Sequence, residues 1–208
     1  MPRRKLIRQS DFPYHVTTRN NRKDWFQIPM ADVWEVCKQA LIYASKSAPV
    51  EINCFVLMSN HYHLLITTPG ANIDRFMMLF NLSISRKISQ RSGMINHKFA
   101  NGYKWSIVDN NNYLANVYRY IYQNPVRARL VTTPTHYPYS SLFFSRNESK
   151  LINYRPHFDY RSYTKFFNKS YNEDFDEVIR KSLRRPVFKP SSRISKFNKY
   201  LMKDGPSI

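Results

Sequence analysis

The chain has 208 residues, 42% of them hydrophobic, and a formal net charge of +19 from 33 Lys and Arg against 14 Asp and Glu. That length holds one domain of about 100 to 200 residues with an appendage, the apolar content excludes a disordered chain, and the charge makes nucleic acid the expected partner. Two cysteines, Cys37 and Cys54, are too few for a disulfide framework or a four-thiolate zinc site, and four glycines leave no loop to cradle a nucleotide. No run approaches the roughly 20 apolar residues that span a bilayer, and the basic start Met1-Pro2-Arg3-Arg4-Lys5 leads into no signal-peptide core. The expected setting is cytoplasmic, with no membrane and no small-molecule substrate.

Tyr14-His15-Val16-Thr17-Thr18-Arg19 follows Pro13 and has the β-branched and aromatic composition of a strand. Ala31 to Lys46 sets Val33, Trp34, Val36, Cys37, Ala40, Leu41 and Ala44 at spacings of three and four, an amphipathic helix with Pro29 just ahead. Val50 to Met58 and Tyr62 to Thr68 read as a second and third strand, antiparallel across Ser59-Asn60, with His61 an alternative start for the third. Ile73 to Ser89 repeats apolar residues at Phe76, Met77, Phe80, Ile84 and Ile88, a second long helix. Tyr103 to Val108 reads as a fourth strand. Asn111 to Gln123 reads as a third helix, which Pro125 either ends or follows with a short extra turn. The order β-α-β-β-α-β-α opens with the six elements of a small α+β sheet. Two helices cover one face, the third helix is free to dock on the other, and the histidine-bearing first and third strands are the expected centre.

Beyond about Ser140 the pattern changes. Asn147 to Asp176 is aromatic without clean periodicity, and Arg180 to Lys203 carries nine basic residues and no acidic one. Prolines and serines interrupt that run, so a tail or short helices are expected there rather than a second hydrophobic core. The division is therefore a folded domain over residues 1–145 and a basic extension over 146–208. The extension is either a solvated tail or an arm along a phosphate backbone, with Arg184, Arg185, Lys189, Arg193 and Lys196 as its candidate contacts.

The chemistry concentrates at Met58-Ser59-Asn60-His61-Tyr62-His63-Leu64-Leu65. On a strand, His61 and His63 emerge from one face and form half of a metal site. Tyr120 and Asn124 stand one helical turn apart, so a nucleophile and an oxygen ligand share a helix face. A phenol of solution pKa about 10 needs a nearby cation and an electropositive site to attack as phenolate. Tyr118 and Tyr122, also four apart, are accounted for by packing. Asn124 serves equally as a helix-ending residue before Pro125. Arg19, Lys23, Arg127 and Arg129 are candidates for holding phosphates, and His15 is either a support for the site, a surface for DNA, or a packed histidine.

Three segments together, residues 14–19, 58–65 and 120–128, resemble the single-tyrosine transposases of the HUH endonuclease superfamily, and within it the REP-associated tyrosine transposases. The likeness extends from about residue 8 to 145, ending at Tyr137-Pro138-Tyr139-Ser140-Ser141. It implies a ferredoxin-like four-stranded antiparallel sheet and a Mg2+ or Mn2+ requirement. It also implies metal ligands at His61, His63 and Asn124, and Tyr120 as the nucleophile. The implied substrate is single-stranded DNA beside imperfect hairpins, cut to a 5′-phosphotyrosine and a free 3′ hydroxyl, by a monomer or a homodimer. The competing reading is a DNA-binding regulator or architectural protein that keeps the scaffold without cutting.

Overall fold

The computed structural model describes residues 5–20, 25–93, 99, 102–170 and 173–190. Four strands, β1 (Tyr14–Arg19), β2 (Glu51–Leu57), β3 (His61–Thr67) and β4 (Lys104–Ile107), form one antiparallel sheet in the order β2-β3-β1-β4. The histidine-bearing strands β1 and β3 are therefore the central pair. β3 begins at His61, and Met58 N donates to the His61 carbonyl at 2.8 Å, closing the hairpin around Ser59-Asn60.

Helices α1 (Met30–Ser47) and α2 (Ile73–Ser92) cover one face. Tyr14, Val16, Tyr62, Leu64, Ile66, Trp105 and Ile107 point to that side and pack with Val33, Leu41, Phe76 and Phe80 in the first core. α2 ends at Gly93, whose φ of +67° closes the helix in the left-handed region that glycine enters without a Cβ penalty. A bulge between Ile52 and Cys54 resets the alternation of β2, so that both Ile52 and Phe55 face this core while Cys54 and Val56 face the other. Cys37 and Cys54 are both buried free thiols.

The second face belongs to α3 (Asn111–Tyr122), which continues through Gln123 into the short α4 (Asn124–Arg127), with Pro125 in its first turn. α3 sets Leu114, Val117, Tyr118 and Ile121 against Cys54, Val56 and Leu65. The α+β sheet with two helices on one face and the tyrosine-bearing helix on the other is thus the observed fold, a ferredoxin-like arrangement.

The chain after residue 145 adds α5 (Arg146–Ile152), α6 (Thr164–Asn168) and α7 (Glu173–Ser182). α5 opens on a capping box between Ser145 and Glu148, and Glu148 also meets Lys38 of α1 at 2.6 Å. Phe158, Phe166, Phe167, Phe175, Ile179, Leu183 and Phe188 are buried with α3, and the last two carry this core into the basic run, where none was expected. Phe175, Ile179 and Leu183, four residues apart among charged neighbours, form the apolar stripe by which α7 and its C-terminal turn enter that core. This chain also covers both sheet edges: Ile52 pairs with Tyr154 beside β2, and Ile107 with Val187 beside β4.

Candidate active site

Register decides which side chains meet. Arg19 pairs with His61, Thr17 with His63 and His15 with Leu65, so His15, Arg19, His61 and His63 all rise from the face that carries α3. The His61 and His63 rings lie 5.1 Å apart between centroids, edge to face. Tyr120, on α3, stands 5.9 Å from the His63 ring and 6.4 Å from the His15 ring.

Each imidazole has one nitrogen engaged. His61 Nδ1 donates to Asn60 Oδ1 at 2.8 Å. His63 Nδ1 and His15 Nε2 are 3.0 Å apart and share one proton donor between them, with the rings stacked at 5.2 Å. Burial holds all three neutral: His15 is pushed down to about 3, and His61 to about 4, where the Arg19 charge adds to the effect. Burial pushes His63 well below the usual imidazole range, and His15, His61, Arg127 and Arg19 push the same way.

Asn124 takes the helix-ending role. Its Nδ2 donates to the carbonyls of Tyr120 and Ile121 at 2.9 and 3.2 Å, satisfying the C-terminal turn of α3. That orientation leaves its Oδ1 as an acceptor. Two neutral imidazole nitrogens and one amide oxygen make a mixed nitrogen and oxygen donor set of the kind that divalent first-row cations accept. Among the described residues no three His, Cys, Asp or Glu side chains are grouped to hold a metal.

Tyr120 differs from its neighbours. Tyr118 is sealed in the second core, donating to the Asn53 carbonyl at 3.2 Å and meeting His157 Nδ1 at 3.1 Å. Tyr122 lies beside Ser141 and Tyr154. Tyr120, 8% exposed, carries instead the Arg127 guanidinium over its ring at 4.2 Å. Arg127 also donates to the Tyr120 carbonyl at 3.0 Å and is ion-paired with Asp176 of α7 at 3.0 Å. Burial pushes the Tyr120 phenol up, and the Arg127 charge opposes that.

The remaining candidates are distributed. Arg19 is exposed beside His61; Arg129, exposed with φ +56°, lines a cavity of about 220 Å³ with Gln123, Val126, Arg127, Ser170 and Asp176. Arg184, Arg185 and Lys189 are exposed around the segment that covers β4, away from the histidine pair in sequence. Lys23, Arg193 and Lys196 lie outside the described residues. Sequence reasoning missed Asn60 and Asp176. Asn60 could have been found by its place beside His61; nothing local in the sequence ties Asp176 to Arg127.

A histidine–hydrophobic–histidine strand facing a helix-borne tyrosine is the arrangement of single-tyrosine HUH endonucleases. The sequence model of the family described as Transposase IS200 like matches residues 8–124, more than half of the chain. The chain belongs to this family of single-tyrosine HUH transposases. Among solved structures, a REP-associated tyrosine transposase bound to a REP hairpin is similar, with a TM-score of 0.57 and 17% identity over 83% of this chain and 93% of that one. A second, a transposase-like protein from Deinococcus radiodurans R1, has a TM-score of 0.39 and 14% identity over 62% of this chain and 91% of its own, too distant to carry weight. No curated protein matches. No described helix is long and apolar enough to cross a membrane.

Proposed function

We propose that the chain is a divalent-metal-dependent endonuclease and strand transferase for single-stranded DNA next to hairpins, with Tyr120 as nucleophile. The reading rests above all on Tyr120 being the tyrosine of its helix that stands beside the histidine pair with a guanidinium over its ring. The REP hairpin held by the similar solved transposase favours the hairpin substrate.

In the reaction the Tyr120 oxygen attacks phosphorus as its proton passes to solvent. The bond to the 3′ oxygen breaks, the 3′ oxygen takes up a proton, and the 5′ phosphate stays esterified to Tyr120. A second 3′ hydroxyl attacking that ester rejoins DNA, and water resolves it as hydrolysis. Arg127 restrains the phenol ring and favours its ionised form. Arg19 and Arg129 offer charge to flanking phosphates. His61, His63 and Asn124 would hold Mn2+ or Mg2+, which supplies Lewis-acid polarisation of the scissile phosphate. Asn60 and His15 fix the orientation of His61 and His63, the task that partners behind metal ligands ordinarily perform.

End-labelled single-stranded hairpin DNA incubated with the protein and Mn2+ should yield a covalent adduct that survives denaturing electrophoresis. Tyr120→Phe, which deletes only the hydroxyl, should bind the DNA and form none. Undiminished adduct in that variant would move the role to another tyrosine. Binding without adduct in the unaltered protein would return the reading of a non-cutting DNA-binding protein.

A further inference from the structure

Trp25 is the most exposed large hydrophobic side chain among the described residues, at 74%, whereas Trp34 and Trp105 are 7% and 9% exposed. A single exposed apolar residue is ordinary by itself. The place of this one is not. Its carbonyl accepts from Asn20 Nδ2 at 3.1 Å, the Asn20 backbone N–H donates to the Asn60 carbonyl at 2.7 Å, and Asn60 Oδ1 accepts from His61 Nδ1 at 2.8 Å. Asn20 is 5% exposed, so this tether is shielded from water. Arg19, next to Asn20, is exposed and directly across from His61. A wide aromatic surface thus stands in solvent at the end of β1, coupled by three hydrogen bonds to the histidine pair.

We propose that Trp25 is a base-stacking platform for the unpaired strand at the site, its indole covering one base while Arg19 neutralises an adjacent phosphate. This rests on the reading of the substrate as single-stranded DNA. Every base has a π-face, so stacking binds an unpaired strand with little regard to sequence. In a duplex those faces are covered by neighbouring pairs and only base edges are offered, so the platform selects for unpaired nucleotides. Recognition of a hairpin by other parts of the protein then leaves Trp25 to hold the flank that is cut.

The test uses the full chain in a Tyr120→Phe background without metal, so that binding is read without cleavage. The ligand is a single-stranded oligonucleotide carrying a hairpin and an unpaired flank. Tryptophan emission should be quenched on binding, because the exposed indole is the one a base can reach. Trp25→Phe should remove the quench yet hold affinity within about threefold, since phenylalanine still stacks. Trp25→Leu should weaken binding roughly five- to hundredfold without changing the salt dependence, as every cation that faces a phosphate is kept. A Leu variant that binds as tightly as the Phe variant overturns the proposal, as does a quench that persists in Trp25→Phe. The cutting reading is judged separately, by adduct formation in the unaltered protein with Mn2+. Absence of that adduct together with a Trp25-dependent quench would leave the platform standing on a DNA-binding protein.

Discussion

Tyr118, Tyr120 and Tyr122 are chemically identical and differ only in what surrounds them. Two are held by hydrogen bonds inside an aromatic core, and burial keeps their phenols well above the usual range. Tyr120 has the guanidinium that can offset burial. Removing that charge with Arg127→Ala should raise the Tyr120 pKa. The pH profile of adduct formation should then move to higher pH, and the rate at neutral pH should fall about tenfold for every pH unit the profile moves. An unmoved profile would deny Arg127 this role. For the imidazoles, His61→Ala and His63→Ala should each suppress Mn2+-dependent cleavage while DNA affinity, supplied by dispersed phosphate contacts, changes little. His15→Phe keeps ring volume but loses the bond to His63 Nδ1, and should weaken Mn2+ binding roughly 10- to 100-fold. Titration of Mn2+ followed by electron paramagnetic resonance reads that directly; unchanged binding would make His15 a packed histidine.

At the scale of elements, α4 and α7 act on the site together. α4 turns Arg127 back over α3, and α7 meets it with Asp176, the two side chains 26% and 17% exposed. Losing the acid leaves a half-buried guanidinium without its ion pair, so Asp176→Ala should cost about 1–3 kcal/mol in denaturant unfolding. The pairing of α7 with the site was not legible in the sequence, because residues 127 and 176 are joined by an aromatic stretch of no clear period. β1 and β3, in contrast, read correctly as the central strands, since the β-α-β-β-α-β order of elements puts the first and third strands inside the sheet. The hairpin at Ser59-Asn60 was legible because two polar, turn-forming residues separate two apolar strand-like runs.

For the molecule as a whole, the described part of the basic C-terminal run belongs to the fold. Leu183 and Phe188 are buried, and Phe188 N donates to the Ile107 carbonyl at 2.8 Å, so this part completes the fold. Ending the chain after residue 179 should therefore remove roughly 3–6 kcal/mol of apolar burial from these two side chains and lower the melting temperature markedly. A shorter deletion, ending the chain after Pro190, tests the remainder of the basic run. If residues beyond 190 lie along DNA, that shorter deletion should flatten the salt dependence of single-strand binding, by about 0.7 for each phosphate no longer neutralised; an unaltered slope would make them a solvated tail. Acid should destabilise the protein through its neutral histidines. His15 and His61 titrate near 3 and 4 in the folded chain and near 6.5 when unfolded, so the unfolded state binds more protons below about pH 6.5. Stability, complete above that pH, should fall steadily toward pH 4 in the presence of chelator, and His15→Phe should shallow the fall.

By itself the sequence determined the sheet and its two covering helices, and it set His61 beside His63 on one strand face and Tyr120 beside Asn124 on one helix face. These follow from periods of two and 3.6 residues and from the fixed spacing of side chains on one strand and one helix. It also set the charge that points to DNA. Only the tertiary structure decided that His15 backs His63, that Arg127 lies on Tyr120 with Asp176 behind it, that side chains from Phe158 to Phe188 complete the second core, and that Tyr154 and Val187 pair at the two sheet edges. His15 and His63 stand 48 positions apart in the chain, and Arg127 and Asp176 stand 49 apart. Over such separations no local period links the partners, and only the packed chain brings them within reach.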